Sequence, residues 1–385
     1  MLSFSSRLDR FPESAISEMN VLAEQTNSIN LASGYPDFDP PQELIEAAVQ
    51  ALRQGYNQYA HPAGSLRLRT ALAAKHSRFS GLEIDPQAHV TITCGGTEAM
   101  LVTLAALCNP SDRVLIFSPY YENYAVDVHL LDAEPVYIPL PPPDFRFDPQ
   151  QLRKEFERGA KAIIVCNPSN PSGKVFTREE LSFIATLAQE FDAYVITDEV
   201  YEHLVFPPNR HTFVAALPGM FDRTITCGSL SKTYAITGWR LGTIIAPAAI
   251  TDQIRKVHDY VTLGTASPLQ EAAVVGLNFP DSYYQTLLEG YLEARDILLG
   301  YLGQAGLKFI PPQGAYFVLV DISEFPFEDD WAFCYWLARE IGVAGVPGSS
   351  FFHEPVKHLV RLNFAKSPAT LHEAGQRLLQ IRQKI

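Results

Sequence analysis

Tyr194-Val-Ile-Thr-Asp198-Glu199-Val-Tyr201 is an apolar, β-branched run that ends in two adjacent carboxylates and a tyrosine. Its apolar part belongs to the run at residues 193–197, which is one of six short apolar runs, and the others lie at residues 89–93, 113–117, 162–166, 224–227 and 241–246. Strands that are apolar at every position, rather than at alternate ones, are covered on both faces of their sheet. Longer amphipathic segments alternate with these runs, which predicts an α/β fold around a mostly parallel sheet, with ligands at the carboxyl ends of the strands.

The order of predicted elements changes after residue 280. A long helical pattern at residues 284–302 is followed by an apolar run at 314–320, a helical pattern at 331–341, a second apolar run at 359–364 and a last helical pattern at 369–381. This mixture is α+β in character. We therefore expect a large domain of residues 41–280 and a smaller α+β domain of residues 281–385 joined by the N-terminal segment 1–40.

The composition is that of a globular, acidic protein. The chain has 385 residues, 47% of them hydrophobic, and 30 Lys and Arg against 43 Asp and Glu, for a net charge of −13. A chain this apolar buries a large core and is not disordered. Nucleic-acid binders usually present a basic face to phosphate, so this charge argues against a nucleic-acid partner.

The number of cysteines and the hydropathy of the chain indicate the cellular compartment in which the protein works. The five cysteines are widely spaced and odd in number, which predicts neither a disulfide framework nor a metal site. No apolar stretch approaches the roughly 20 residues of a membrane span, and the first residues lack the apolar centre of a signal peptide. We expect a cytoplasmic protein with no membrane contact.

The stretch Ser229-Leu-Ser-Lys232-Thr-Tyr-Ala-Ile-Thr-Gly-Trp-Arg240 follows one of the apolar strands. A strand end in an enclosed site can desolvate an amine, which would lower its pKa and make it a usable nucleophile for a carbonyl. A lysine in an ordinary surface loop is the alternative interpretation. The pattern S-x-x-K is also typical of penicillin-binding enzymes, but their Ser-Asp-Asn and Lys-Thr-Gly partners do not occur in the sequence.

Asp198 and Tyr201 are a second pair of residues that could bind a ligand. A carboxylate at the end of an apolar strand is costly unless it is paired, and a cationic ring nitrogen on a bound cofactor would pair it. The tyrosine hydroxyl could bond an oxygen on the same ring. A metal site or a helix N-cap is the alternative.

Two more strand ends carry polar or glycine-rich turns. Gly95-Gly96-Thr97 lies between a strand and a helix, where free backbone N–H groups can hold a phosphate. Asn170, in Asn167-Pro-Ser-Asn170-Pro, could donate an amide hydrogen to a ring oxygen. Taken alone, each is more often a plain turn. Together with Lys232 and Asp198 they place four complementary chemistries at separate strand ends.

This combination resembles the pyridoxal-phosphate-dependent aminotransferases of class I and II, the aspartate aminotransferase fold family, over nearly the whole chain. The resemblance implies fold type I, with a mostly parallel sheet of seven strands, and pyridoxal 5'-phosphate as cofactor. It also implies Lys232 as the Schiff-base lysine, Asp198 on the pyridinium nitrogen, and Asn170 with Tyr201 on the ring hydroxyl. The phosphate would then be held by Gly95, Gly96, Thr97, Ser229 and Arg240.

Further matches concern the ring, the partner subunit and the substrate. Tyr121 stands where the family stacks an aromatic ring on the cofactor, although core packing is the commoner role of such a residue. Tyr59 matches a residue that reaches the phosphate of the partner subunit, which implies a homodimer with shared active sites. Gly34 and Asn170 match positions around the substrate, and Arg361 matches the arginine that grips the substrate α-carboxylate.

The closest branch is the one acting on glutamine, methionine, kynurenine and aromatic amino acids, to which the stretches Gly34-Tyr-Pro-Asp-Phe38 and Gln313-Gly-Ala-Tyr-Phe317 are similar. Ile16 stands about where that branch often has an aromatic pocket residue, which favours a smaller or linear side chain. The expected reaction moves the amino group of a neutral amino acid to a 2-oxo acid by a ping-pong mechanism.

Three other functions remain open from the sequence. A β-lyase acting on cysteine conjugates or cystathionine-type substrates would use the same residues. Aspartate aminotransferase activity is less expected, because Thr97-Glu98 follows the glycine pair where some aspartate-specific relatives have a basic residue. A non-catalytic cofactor-binding regulator is also less expected, because each expected catalytic position carries the family's residue.

Overall fold

The computed structural model describes residues 4–385, so that residues 1–3 of the expected N-terminal segment lie outside it. The strands are β1 Ile29–Asn30, β2 Val90–Cys94, β3 Arg113–Ser118, β4 Glu134–Pro139, β5 Ala160–Cys166, β6 Tyr194–Asp198, β7 Thr224–Ser229, β8 Leu241–Ile245, β9 Lys308–Ile310, β10 Phe317–Asp321, β11 Val343–Ala344, β12 Val346–Pro347 and β13 Leu359–Asn363. The α-helices are α1 Ala15–Thr26, α2 Gln42–Arg53, α3 Leu66–Ser80, α4 Gly95–Leu107, α5 Asn123–Leu130, α6 Pro149–Glu157, α7 Arg178–Glu190, α8 Ala248–Val261, α9 Ser267–Leu277, α10 Asp281–Gln304, α11 Asp330–Trp336 and α12 Pro368–Leu378.

The large sheet has seven strands in the order β2-β8-β7-β6-β5-β3-β4. All neighbours pair in parallel except β8, which runs antiparallel to β2 and β7. Successive residues of β5 enter different cores, with Ile163 on one side of the sheet and Ile164 on the other. The α/β class and the mostly parallel seven-stranded sheet are thus confirmed, and runs apolar at every position do form strands covered on both faces.

Strand β4 is the one member of this sheet that the apolar runs do not predict. It lies at the edge, carries a proline at its second and last positions, and fully buries Ile138 alone. An edge strand needs hydrogen bonds on one side only, so it tolerates proline and exposed positions. Its sequence therefore lacks the uniform apolar pattern of its neighbours.

A second, four-stranded antiparallel sheet has the order β12-β13-β10-β9. Near it, the short strand β1 pairs in parallel with β11, which joins the N-terminal segment to the C-terminal part of the chain. The helical pattern at 331–341 divides into α11 and a π-helical turn at Leu337–Ile341. None of the helices within residues 4–385 is long and apolar enough to cross a membrane.

The carboxyl ends of the parallel strands lie together on one side of the large sheet, its carboxyl edge. The strands that end there include β2, β3, β5, β6 and β7. Helix α4 begins directly at Gly95, with no turn residues between it and β2. Helix α7 begins with a capping box, since the Thr177 hydroxyl and the Glu180 carboxylate each accept from the other residue's backbone N–H. The carboxyl edge of the sheet is where polar side chains collect.

Candidate active site

A cavity of about 220 Å³ opens at the carboxyl edge of the large sheet. It brings together twelve of the residues singled out from the sequence, namely Ile16, Gly34, Gly96, Thr97, Tyr121, Asn170, Asp198, Tyr201, Ser229, Lys232, Arg240 and Arg361. The carboxyl ends of parallel strands meet at one edge, so residues far apart in the chain converge there. Lys232 and Asp198 face the same space.

Lys232 lies three residues after the end of β7, in the turn that leads back to β8. Its amine donates a hydrogen bond to the Gly34 carbonyl oxygen over 2.7 Å, and the Tyr316 hydroxyl donates to the same oxygen over 2.7 Å. The amine also lies 5.7 Å from the centroid of the Tyr316 ring. The N-terminal segment therefore supplies the acceptor that holds the amine at the cavity.

Asp198 ends β6, and two hydrogen bonds fix the position of its carboxylate. The Tyr124 hydroxyl donates to Asp198 Oδ2 over 2.5 Å, and the Val200 backbone N–H donates to Oδ1 over 3.2 Å. Burial raises the pKa of Asp198 above its usual range, although the bonds from Tyr124 and Val200 and the charge of Lys232 oppose that rise. A buried carboxylate with this environment lacks a full counter-charge and is suited to a cationic group in the cavity.

The end of the cavity next to α4 is suited to an anion. Gly95 has φ +79°, and a Cβ there would lie 2.3 Å from the Arg240 guanidinium, so only glycine lets that side chain lie against the turn. Helix α4 has no side-chain cap, which leaves backbone N–H groups of its first turn available. Ser229 donates to Ser231 Oγ over 2.6 Å at the same end.

Arg361, in β13, is fully buried and faces the cavity from the small sheet. It donates to Asn170 Oδ1 over 2.8 Å and to the Ala32 carbonyl over 2.9 Å, and within residues 4–385 its Nε has no hydrogen-bond partner. Burial lowers the pKa of Arg361 to about 10. A buried guanidinium with neutral acceptors and a free N–H is suited to a carboxylate ligand, which it can bind with two parallel hydrogen bonds.

Two predicted site residues do not line the cavity. Gly95 lies behind Arg240, as its close approach requires. Tyr59 is 87% exposed and lies away from the cavity of its own chain.

Other residues of the cavity were not predicted from the sequence: Met100, Asn123, Tyr124, Cys166, Val200, Ser231, Thr237 and Phe317. Tyr124 matters most among them, because it bonds Asp198. Its sequence signal is weak, since it is one of three tyrosines within Pro119-Tyr-Tyr-Glu-Asn-Tyr124.

A larger cleft of about 1020 Å³ lies beyond the turn that carries Asn170, and is lined in part by Phe145, Lys174 and Gln313. Its buried polar groups are already paired, since Lys174 bonds Glu180 over 2.9 Å and the Gln313 side chain accepts from the Val175 N–H over 2.9 Å. The converging unpaired charges are in the smaller cavity. That cavity is therefore the candidate site.

The chain is similar to known aminotransferases over nearly its whole length. The family model described as aminotransferase class I and II matches residues 26–378. Methionine aminotransferase of Escherichia coli (strain K12) is 38% identical over 98% of this chain and 98% of its own length, and kynurenine–oxoglutarate transaminase 1 of Homo sapiens is 33% identical over 97% and 96%. The structure of N-succinyldiaminopimelate aminotransferase from Mycobacterium tuberculosis superposes with a TM-score of 0.95 at 35% identity, covering 98% of this chain and 99% of that one.

The family match extends from β1 to the end of α12 and so includes both sheets and the residues of the cavity from Gly34 to Arg361. The resemblance inferred from the sequence motifs is confirmed. The chain belongs to the class I and II aminotransferase family and is an aminotransferase.

Proposed function

We propose that this aminotransferase uses pyridoxal 5'-phosphate to move the amino group of a neutral amino acid, such as glutamine, methionine or an aromatic or kynurenine-like substrate, to a 2-oxo acid. One observation carries the proposal. The Lys232 amine, the Asp198 carboxylate and the Arg361 guanidinium face a single cavity, and the described part of the chain gives the carboxylate and the guanidinium no full counter-charge.

The residues present fit the cofactor. Asp198 offers a buried negative charge to a protonated ring nitrogen, Asn170 and Tyr201 offer polar groups beside it, and Arg240 with the first turn of α4 offers a cradle for a phosphate. When bound, the cofactor supplies the electron sink that allows a proton to leave the substrate α-carbon. Asp198 would hold a proton on the ring nitrogen of the bound cofactor, because a buried carboxylate and a cationic ring nitrogen stabilise each other.

The protein's own groups then bind the substrate and move the proton. Arg361 binds the substrate α-carboxylate and orients the α-carbon toward Lys232. The Lys232 amine takes the proton from the α-carbon and acts as general base. The Gly34 carbonyl, which accepts from this amine over 2.7 Å, holds it close to the place of reaction. Because donor and acceptor acids use one site in turn, ping-pong kinetics are expected.

A neutral substrate side chain is supported by the lining of the cavity. The cations among its described residues are Lys232, Arg240 and Arg361, and each has a role in the scheme above. No further cation is left for a side-chain carboxylate. Ile16 and Phe317 offer apolar contacts instead. Relatives named for methionine and for kynurenine agree with a substrate of this kind.

We also propose a homodimer with shared active sites. Large apolar side chains are exposed on the segments around α2, the following loop and the end of α8, among them Leu52, Tyr59, Leu66, Tyr260 and Val261. Exposed apolar residues in such number are typical of an interface. Thr97 and Arg240, at the phosphate end of the cavity, are exposed in the single chain, which leaves room for a residue such as Tyr59 of a partner.

Two further expectations remain proposals. The division into residues 41–280 and residues 1–40 with 281–385 is supported by the large sheet within 90–245, the small sheet within 308–363 and the pairing of β1 with β11. A cytoplasmic location is supported by five free cysteines, three of them buried thiols, which suit a reducing compartment.

The test is a panel of amino acids with two or three 2-oxo acids, run on the wild type and on Lys232→Ala. We expect the variant to lose turnover while it remains folded. Lys161→Ala, which removes a lysine outside the cavity, is the matched control and should retain activity. Full activity in Lys232→Ala would end the proposal. Release of pyruvate and ammonia from a cysteine conjugate without an oxo-acid acceptor would instead indicate a β-lyase.

A further inference from the structure

His258 lies in the last turn of α8 and is fully buried, outside the candidate site. Its Nδ1 lies 2.7 Å from Glu98 Oε1, and its Nε2 lies 2.8 Å from the Pro62 carbonyl oxygen. A backbone carbonyl can only accept a hydrogen bond, so Nε2 must carry a proton. The state of the ring therefore depends on Glu98.

Glu98 is an ionised carboxylate on geometric grounds. Besides facing His258, its Oε1 accepts from the Thr262 hydroxyl over 2.7 Å, and its Oε2 accepts from the Cys94 backbone N–H. A carboxyl group that accepts several hydrogen bonds is held in its charged form. An ionised carboxylate cannot donate, so Nδ1 must carry a proton as well. Both nitrogens are protonated, and the ring is an imidazolium.

The pKa directions agree with this assignment. Burial by itself would lower the pKa of His258, but the hydrogen bond and charge of Glu98, with the Pro62 carbonyl and the charge of Asp259, together outweigh burial and the pKa is raised. For Glu98, burial would raise the pKa, but the bonds from His258, the Cys94 N–H and Thr262 outweigh it and the pKa is lowered.

The other titratable groups near the ring are few. Asp259 on the same helix adds a further negative charge, and His61 precedes Pro62 in the facing loop. Arg255, one turn earlier on α8, donates instead to Thr91 and to the backbone carbonyls of residues 87 and 90. The balance around the ring therefore favours the cation.

The partners of the imidazolium belong to two functional segments. Glu98 is in the first turn of α4, directly after the Gly95-Gly96-Thr97 turn. Pro62 is in the loop that carries Tyr59, and the next residue of that loop bonds β2 through the Ala63 carbonyl and the Ile92 N–H over 3.0 Å. One buried cation thus connects the phosphate cradle with the loop that the proposed dimer presents to its partner.

We propose that His258 is a positioning residue whose imidazolium ties the Gly95–Thr97 turn to the 57–64 loop, so that its deprotonation at alkaline pH loosens cofactor binding and the dimer surface together. The link to cofactor and dimer rests on the proposed function, whereas the protonation state does not.

The sign of the pH dependence follows from the raised pKa. A histidine whose folded pKa lies above its unfolded value contributes its full stability below the ordinary value of about 6.5 and loses it as pH rises through the folded pKa. After deprotonation one of the two bonds must be lost, because a neutral ring has one N–H. Stability and cofactor retention should therefore fall on the alkaline side.

The experiment compares wild type with His258→Gln, which keeps one donor and one acceptor but no charge. Melting temperature is measured from about pH 6 to about pH 10, a range that brackets the ordinary histidine pKa and extends above it. We expect the variant to melt lower than wild type near pH 6 and the difference to shrink as pH rises. His372→Gln, on the exposed face of α12, is the matched control and should follow the wild-type profile.

Cofactor dissociation provides the second readout. At neutral pH the loss of a bond to a charged group should speed release in His258→Gln by about tenfold, and dimer dissociation should rise with it. If His258→Gln does not fold, Glu98→Gln replaces it. That variant should move the alkaline transition to lower pH, because the stabilising charge is gone.

The protonation state is also measured directly on wild type. Labelling with 15N-histidine should show one imidazole with two protons near pH 7.5, where an exposed histidine of pKa about 6.5 carries one. Absence of such a ring, or parallel melting profiles for wild type and His258→Gln, would overturn the inference. A protein that binds no pyridoxal phosphate but shows the imidazolium would refute the proposed function and leave the assignment of His258 standing.

Discussion

Tyr124→Phe tests how the protein keeps Asp198 ionised. The hydroxyl donates to Asp198 Oδ2 over 2.5 Å, and the substitution removes this bond while it keeps the ring in place. A hydrogen bond to a charged group contributes about 1.5 to 3 kcal/mol net. Since about 1.4 kcal/mol is a tenfold change in an equilibrium constant, we expect cofactor affinity to fall by about 10- to 100-fold.

The direction follows from the pKa of Asp198. Burial already raises it, and Tyr124 is the leading group that opposes the rise, so its loss raises the pKa further. Less of the carboxylate is then ionised, and the defect in affinity should grow as pH falls. The assay is a titration of cofactor-free protein with pyridoxal phosphate, followed by absorbance at several pH values.

Tyr120→Phe provides the matched control. It removes a hydroxyl from the same segment, but from a ring that stacks on Tyr137 and not from the cavity. We expect its affinity to stay close to that of wild type. Equal affinities for Tyr124→Phe, Tyr120→Phe and wild type would show that the Tyr124 bond does not support the ionised carboxylate.

Two further changes address the ends of the cavity. Gly95→Ala should weaken cofactor binding by about tenfold or more. An L residue at φ +79° is strained by about 1 to 3 kcal/mol, and its Cβ would displace the Arg240 guanidinium. An affinity equal to that of wild type in the same titration would contradict the close approach of Arg240 to Gly95. Arg361→Lys should lower kcat/KM by about 10- to 100-fold through a higher KM, since lysine cannot reproduce the two-pronged donor that now reaches Asn170 and the Ala32 carbonyl. Initial rates against substrate concentration measure this, and an unchanged KM would argue against a carboxylate at that position.

The sequence predicted those secondary-structure elements that depend on interactions between residues close together in the chain. The strands buried on both faces, such as β5 and β6, stand out because water is absent from both sides of the sheet and most positions are apolar, rather than every second one. The start of α7 was predictable for a similar reason, since its capping box involves residues three positions apart. Strand β4 was not, because an edge strand with one fully buried residue has no such pattern.

For the candidate site, the sequence indicated individual residues but not their spatial arrangement. Lys232, Asp198, Asn170 and the glycine pair could be selected from the chain, because each follows an apolar strand with a residue type that a turn alone does not need. Their convergence on one cavity depends on the topology, which places the carboxyl ends of β2, β5, β6 and β7 at the same edge of the sheet, with the antiparallel β8 between β2 and β7.

Contacts between residues far apart in the chain could be seen only in the tertiary structure. Tyr124 and Asp198 are 74 positions apart, and Glu98 and His258 are 160 apart. Neither tyrosine nor histidine carries a mark in the sequence that distinguishes a bonded, buried side chain from an ordinary one. The charge on His258 depends on which atoms surround its ring after folding, because a proton on a buried nitrogen is stabilised only by acceptors that the rest of the chain brings to it.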